Sequence, residues 1–267
     1  MIYITGDCHG NFERFEPYIF PEQAEMTKDD YVIICGDFGG VWELDTKGEQ
    51  WREQFAGNKH NARVKCENMQ LDWLESRPFT TLFVDGNHEN YDRLNAYPVE
   101  EWHGGHVHKI RSSVIHLMRG EVFDLCGKTF FAFGGASSHD IRGGILEPAA
   151  SDYKEKLNEA YKGTAPFRIN HVSWWKEELA FDEEKINGFK NLEKHDYNID
   201  FIVSHCCSTS TQNILGGGRY KSDHETDYLD EVRAKTEFKK WFFGHYHANR
   251  NVNDKEICIY EQIIRIM

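Results

Sequence analysis

Five apolar runs of four or five residues each break off at a glycine or at a side chain able to bind metal. This recurrence restricts the chain more than any bulk property. Ile2 to Thr5 precede Gly6-Asp7-Cys8-His9, Tyr31 to Cys35 precede Gly36-Asp37, and Thr81 to Asp85 precede Gly86-Asn87-His88-Glu89. Phe201 to Ser204 precede His205, and Lys240 to Phe243 precede Gly244-His245-Tyr246-His247. Between them, Asn61 to Ser76 carries Val64, Met69, Leu71, Trp73 and Leu74 among charged residues, the spacing of an amphipathic helix. Strand, helix, strand in that rhythm predicts a parallel sheet.

The pattern changes after Val107. Short alternating segments at Val107 to Ile110, Val114 to Met118, Glu121 to Leu125 and Thr129 to Phe133 are divided by turns, which predicts an antiparallel meander and a second, mixed sheet. Phe12 to Met26 predicts a short helix, and Thr226 to Phe238 another. A hairpin over Asn249 to Asp254 then leads into a β-rich end at Glu256 to Ile266. The stretch 134–191 reads as an insertion with two charged helical segments, Asp152 to Lys162 and Trp174 to Leu192, serving as a lid or as a face for a protein partner. Lys154 to Lys162 predicts a solvated helix face, and Trp174-Trp175 an aromatic pair packing the insertion onto the body.

A length of 267 residues suits a single α/β domain, 1–267, carrying that insertion. The formal charge of -13 disfavours a broad polyanion-binding surface, so nucleic acid is an unlikely partner and an anionic membrane a poor one. A small phosphoester stays admissible because the local field decides: two divalent ions bring about +4, which Asp7 and Asp37 cut to about +2. Seven cysteines is an odd number, and Cys8, Cys35, Cys206 and Cys207 lie in or beside the apolar runs, which predicts reduced, mostly buried thiols. The chain begins directly on a strand, without a basic leader or an apolar run of membrane length, so a cytoplasmic protein is expected.

Asp7 and His9 stand at i and i+2, which at a strand end turns both side chains to one side, and His245 and His247 repeat the spacing. In an open α/β sheet, ligands gather beyond the carboxyl ends of the strands, where all five groups fall. Carboxylate, imidazole and amide without thiolate favour Mn, Fe or Zn over copper. An aspartate between two such ions, with Asp37 the natural bridge, generates hydroxide near neutral pH and clamps phosphoryl oxygens in an in-line displacement.

The order Asp7-x-His9, Gly36-Asp37, Gly86-Asn87-His88-Glu89, His205, Gly244-His245-x-His247 resembles the calcineurin-like metallophosphoesterase superfamily along nearly the whole chain. The resemblance implies two mixed β-sheets packed face to face and flanked by helices, a four-layer α/β/β/α sandwich. It implies two divalent ions, most simply Mn: one held by Asp7, His9, Asp37 and His247, the other by Asp37, Asn87, His205 and His245. His88 would then stabilise the transition state or protonate the leaving oxygen. One motif departs. In the protein serine/threonine phosphatase branch the second motif continues to an Asp-Arg pair, whereas Asp37 is followed here by Phe38-Gly39-Gly40-Val41. Asp85 is the candidate to orient His88. Arg142, in a glycine-rich loop with His139 and Asp140, is the candidate to bind the substrate phosphate.

The expected activity is therefore a metal-dependent phosphatase using a metal-bridging hydroxide, with a phosphodiesterase for cyclic or dinucleotides as the alternative. A metal-binding scaffold without turnover is the reading from another class. The loop Phe38 to Asp45 and the insertion are expected to set substrate choice. Trp102 to His108 predicts a surface hairpin rather than a second metal site, and Cys206-Cys207 buried thiols rather than nucleophiles.

Overall fold

The computed structural model describes residues 1–44, 55, 57 and 59–267, so Asp45 lies outside the described residues. Strands β1 (Ile2–Thr5), β2 (Tyr31–Ile34) and β3 (Thr80–Phe83) run parallel in adjacent positions. Helix α1 (His60–Glu75) covers them, burying Leu71 and Leu74 while Met69 stays exposed. The expected helix over Phe12 to Met26 is two 3₁₀ turns, Glu13–Phe15 and Pro21–Glu25, the second opened by Pro21. A short helix α2 (Tyr91–Leu94) follows the third motif, capped by the Asn90 side chain.

The anticipated meander divides between two sheets. Strands β4 (Val99–Trp102), β5 (Gly105–Arg111) and β6 (Val114–Leu117) extend the first sheet: β6 pairs parallel with β3, and β5 antiparallel with both β6 and β4. Strands β7 (Glu121–Leu125) and β8 (Lys128–Phe133) form a hairpin that opens the second sheet. The side chains of β4 are mostly exposed and carry no apolar run, so no sequence pattern marks that strand.

The segment that follows holds β9 (Ile145–Leu146), α3 (Tyr153–Lys162) and β10 (Arg168–Ile169), the two short strands pairing with each other. None of the α3 residues is buried. Trp175 is fully buried against the body. Helix α4 (Asp182–Lys194) buries Leu192 in the core and leads into β11 (Asn198–Ser204), which pairs parallel with β8. Helices α5 (Thr209–Gly216) and α6 (His224–Lys235) connect to β12 (Glu237–Phe243), parallel to β11. The end of the chain serves both sheets. The hairpin of β13 (Arg250–Asn251) and β14 (Glu256–Cys258) joins β12, whereas β15 (Ile264–Arg265) pairs with β1.

The sheet orders are β15-β1-β2-β3-β6-β5-β4 and β13-β14-β12-β11-β8-β7. Their central strands face apolar layers on both sides, which is why they read as continuous apolar runs. Along β2, Tyr31 and Ile33 enter the core shared with Phe130, Ala132 and Phe242 of the second sheet, while Val32 and Ile34 face the layer with Leu71 and Leu74 of α1. In β8, Phe130 and Ala132 point to the shared core, and Phe131 and Phe133 to the layer with Leu192 and Leu229. The result is the expected pair of mixed sheets packed face to face between helices. Among the described residues, no helix is long and apolar enough to cross a membrane.

Candidate metal centre

The carboxyl ends of β1, β2, β3, β11 and β12 converge at one rim of the two sheets, and each motif continues from there. Arg14 fixes the first turn: its guanidinium donates to the carbonyls of Gly6, Asp7 and Tyr260 at 3.2, 2.7 and 2.7 Å. The carbonyl of Asp37 accepts the backbone N–H groups of Cys8 and His9 at 3.0 and 2.7 Å, joining the first two motifs. Asp7 is buried and accepts the backbone N–H of His245 at 3.0 Å, which ties the last motif to the first. Close approach demands two of the glycines. A Cβ on Gly36, which has φ +89, would lie 2.2 Å from Nδ1 of His205, and one on Gly86 2.2 Å from Oδ1 of Asp37.

Four site residues with side chains sit in the left-handed region: His9, Asp37, His245 and His247, with φ of 49, 45, 64 and 47°. Non-glycine residues enter that region at a cost of about 1–2 kcal/mol each and are held there by their surroundings, a pattern that clusters at functional sites. Side chains of the site form three compact groups: Asp7, His9 and His247; His9, Asp37 and His88; and Asp7, Asp37 and His205. Within each, the ligand-capable atoms lie within 4.8 Å of one another. Asn87 joins the third group, its Oδ1 3.2 Å from Nε2 of His205. His245 stands beside it, ring centroid 5.0 Å from that of His205.

The polarity of these groups suits a cation. His205 is fully buried and its Nδ1 lies 2.9 Å from the carbonyl of Cys35, so Nδ1 carries the hydrogen. Nε2 therefore faces Oδ1 of Asp37 at 3.3 Å and Oδ1 of Asn87 at 3.2 Å, a convergence of acceptors that only positive charge can stabilise. Burial opposes a charge on His205, but the Asp37 carboxylate outweighs it and holds the imidazole up at about 10. The same pair, working against burial, holds Asp37 well below the usual carboxylate range. On the other side of the cage, Nε2 of His247 is 3.1 Å from both Nε2 of His9 and Oδ2 of Asp7. The hydrogen bond with Asp7 raises His247, whereas burial and the nearby His205 lower His245 to about 3. Cys8 adds no thiolate, since burial pushes it up to about 12.

The backbone N–H of His88 donates to Oδ1 of Asp37 at 2.8 Å, and its ring stands 5.1 Å from that of His9, at the edge of a cavity that also holds Trp42. Glu89 is buried and its carboxylate accepts the N–H groups of Phe38 and Gly39 at 2.7 and 3.3 Å, which locks the second motif to the third. Asp85 does not orient His88. Its carboxylate is taken by His116 Nε2 at 3.0 Å, by the Arg119 guanidinium and by the Tyr91 hydroxyl at 2.7 Å. Arg142 is exposed, and among the described residues none of the contacts with the cage involves it. Burial lowers the His88 imidazole against the pull of the Asp37 carboxylate, and the charge of Arg168, which is itself paired through two bonds with Asp140, adds to the lowering. The cluster Trp102 to His108 does lie on a hairpin, but His108 is buried, its Nδ1 3.1 Å from Nδ1 of His116. All seven cysteines are free, and Cys206 and Cys207 are buried.

Two facing mixed sheets with carboxylates, imidazoles and an amide gathered at their shared rim form a candidate dinuclear metal centre. The sequence model of the calcineurin-like phosphoesterases matches residues 1–249, and the chain belongs to that family. It is also similar to curated relatives. Lariat debranching enzyme A of Xenopus laevis is 27% identical over 166 residues, which are 60% of this chain and 28% of that protein. The lariat debranching enzyme of Schizosaccharomyces pombe is 27% identical over 158 residues, 57% and 29% of the two chains. The human lariat debranching enzyme is 24% identical over 151 residues, 55% and 25%. The matched stretch thus spans under a third of the length of each of these relatives.

Proposed function

We propose that this chain hydrolyses phosphodiesters on two divalent ions, with Mn the first choice and Fe or Zn the alternatives. The observation that carries the diester reading is the pair of cavities at the cage. One, of about 440 Å³, is lined by His9 and His88 together with Trp42, Lys59, Arg63 and Gln70. The other, of about 590 Å³, is lined by His245 and His247 together with Ser137, His139, Tyr220 and Lys221. The two share no lining residue. A monoester needs room for one substituent beside its phosphate, whereas a diester needs room for two, and each cavity is within the size range of small-molecule sites.

Asp7, His9, Asp37 and His247 would hold one ion, and Asp37, Asn87, His205 and His245 the other. When bound, two such ions supply an activated water and positive charge for the phosphoryl oxygens. The chain's own residues do the rest. Asp37 draws the loops of the first and third motifs together, and Glu89 fixes the second motif against the third. His88 offers a ring N–H at the mouth of the first cavity, where a leaving oxygen would take its proton. Trp42 lines the first cavity and Tyr220 the second, and their aromatic faces suit planar substituents on the phosphate.

The test is the ratio of turnover on bis-para-nitrophenyl phosphate to that on para-nitrophenyl phosphate, with Mn supplied to both. Higher kcat/KM on the diester is expected. Preference for the monoester returns the reading to a phosphatase, and no turnover on either with both ions bound supports a scaffold. Because the relatives are named for debranching lariats, branched and single-stranded nucleic acids are the first polymers to assay.

A further inference from the structure

We infer that Glu178, acting through Ser138, is a positioning residue that sets which end of the Asn87 amide faces the metal cage. The inference rests on the proposed metal site and goes beyond it, because neither residue belongs to any of the five motifs.

An asparagine can serve a metal ion only through its oxygen, so a ligand asparagine must have its amide turned the right way. A carboxylate ligand has no such requirement. Asn87 is buried, with Oδ1 3.2 Å from Nε2 of His205 and Nδ2 3.5 Å from Oγ of Ser138. The opposite orientation would put the NH₂ group into the cage. What selects between the two is the state of the Ser138 hydroxyl, which has one hydrogen to give. That hydrogen goes to Oε2 of Glu178 at 2.6 Å, while the Ser138 backbone N–H goes to Oε1 at 2.9 Å. With its hydrogen committed, Oγ can only accept from Asn87, and the amide oxygen is directed to the cage.

The chain of contacts is buried and anchored at both ends. Glu178, Ser138 and Asn87 are 3, 7 and 4% exposed, and Ser138 also lines the second cavity. The loop carrying Ser138 is pinned by the N–H of Gly135 to the carbonyl of Asp85 at 2.9 Å, and by the N–H of Ala136 to the carbonyl of Glu178 at 3.0 Å. Arg119 closes the frame. It donates to the Asp85 carboxylate and, at 2.8 Å, to the carbonyl of Glu177. Groups of this kind, which orient a ligand without touching the metal, typically change metal affinity about 10- to 100-fold when removed.

The test is calorimetric titration of the chelator-stripped chain with Mn. Ser138→Ala leaves Nδ2 without its acceptor. Glu178→Gln introduces no unpaired charge, but its NH₂ group donates to Oγ of Ser138 and returns the hydroxyl hydrogen to Asn87, which favours the flipped amide. Each variant is expected to bind one of the two ions about 10- to 100-fold more weakly, with the other ion unaffected. Asn87→Asp provides the discriminating variant, because a carboxylate accepts the returned hydrogen with one oxygen and keeps the other for the ion. Asn87→Asp combined with Glu178→Gln should therefore recover affinity relative to Glu178→Gln alone, which a merely structural role for Glu178 would not produce. Two ions bound with equal affinities by wild type, Ser138→Ala and Glu178→Gln would overturn the inference while leaving the metal site standing. A wild-type chain that binds no ion would remove both.

Discussion

Oδ1 of Asp37 accepts the backbone N–H of His88 at 2.8 Å, so the carboxylate placed between the two proposed ion sites also holds the loop of the proposed acid. The bond uses the main chain of His88 and leaves its ring free for substrate. His88→Ala should therefore keep the loop in place and lower kcat by about 10²- to 10⁴-fold, the range for a general acid. Steady-state kinetics together with metal analysis of the same sample checks this. Loss of an ion in His88→Ala would instead make the ring a ligand, as its grouping with His9 and Asp37 allows.

Asp37→Ala should remove the shared carboxylate and with it binding at both ion sites. Ions that bind only the folded chain raise its stability by mass action, by about 2.7 kcal/mol at a hundred times Kd. Mn at that excess should raise the melting temperature of the wild type and leave that of Asp37→Ala unmoved. Scanning calorimetry with and without Mn provides the comparison.

Arg119→Met should be among the most destabilising single changes outside the hydrophobic layers. The side chains of Arg119 and Asp85 are 4 and 1% exposed, and removing one partner of a buried pair leaves the other charge uncompensated, at a cost of about 3–5 kcal/mol. The partner holds Asp85 well below the usual carboxylate range in spite of burial. Arg111→Ala, which breaks an exposed pair with Asp72, should cost less than about 1 kcal/mol. Urea denaturation of both variants measures the difference.

Glu225 should make the fold less stable as the solution turns alkaline. Burial, only partly offset by Arg119 and by the Ala180 N–H at 3.1 Å, pushes its carboxyl from 4.5 up to about 7. A raised folded-state value means that the folded chain binds the proton more tightly than the unfolded chain does. The resulting stability is complete below about 4.5 and is lost as the pH rises through about 7. Glu225→Gln should flatten the profile, with a gain of about 3 kcal/mol near pH 8 where the wild-type carboxyl must ionise inside the protein. Urea midpoints from about pH 5 to about pH 8, compared between the two proteins, report the slope.

The parts of the fold visible in the sequence are those whose signal is local. Ile2 to Thr5 and Tyr31 to Ile34 are buried on both faces, so each reads as an unbroken apolar run, and the ligand-bearing turns follow at once. Which sheet a strand joins is a long-range matter. Val107 to Leu117 and Glu121 to Phe133 carry the same alternation, yet they part at Arg119, whose side chain turns in to Asp85 while the chain crosses to the second sheet. The candidate site divides in the same way. Its cage residues sit in motifs with fixed spacing, whereas Ser138 and Glu178 come to it through contacts between segments distant in sequence, and no local pattern announces them. Asp85 stands next to the third motif, which makes it the candidate to orient His88, but its partners His116 and Arg119 lie on and just after a strand of the same sheet and take its carboxylate instead.

An anomalous difference map from crystals of the Mn-loaded chain tests the central claim most directly. The account predicts two peaks about 3.5–4 Å apart, with Asp37 between them, one beside Asp7, His9 and His247 and the other beside Asn87 and His205. No peak at this rim, or a single ion that leaves one of those groups unligated, would contradict it.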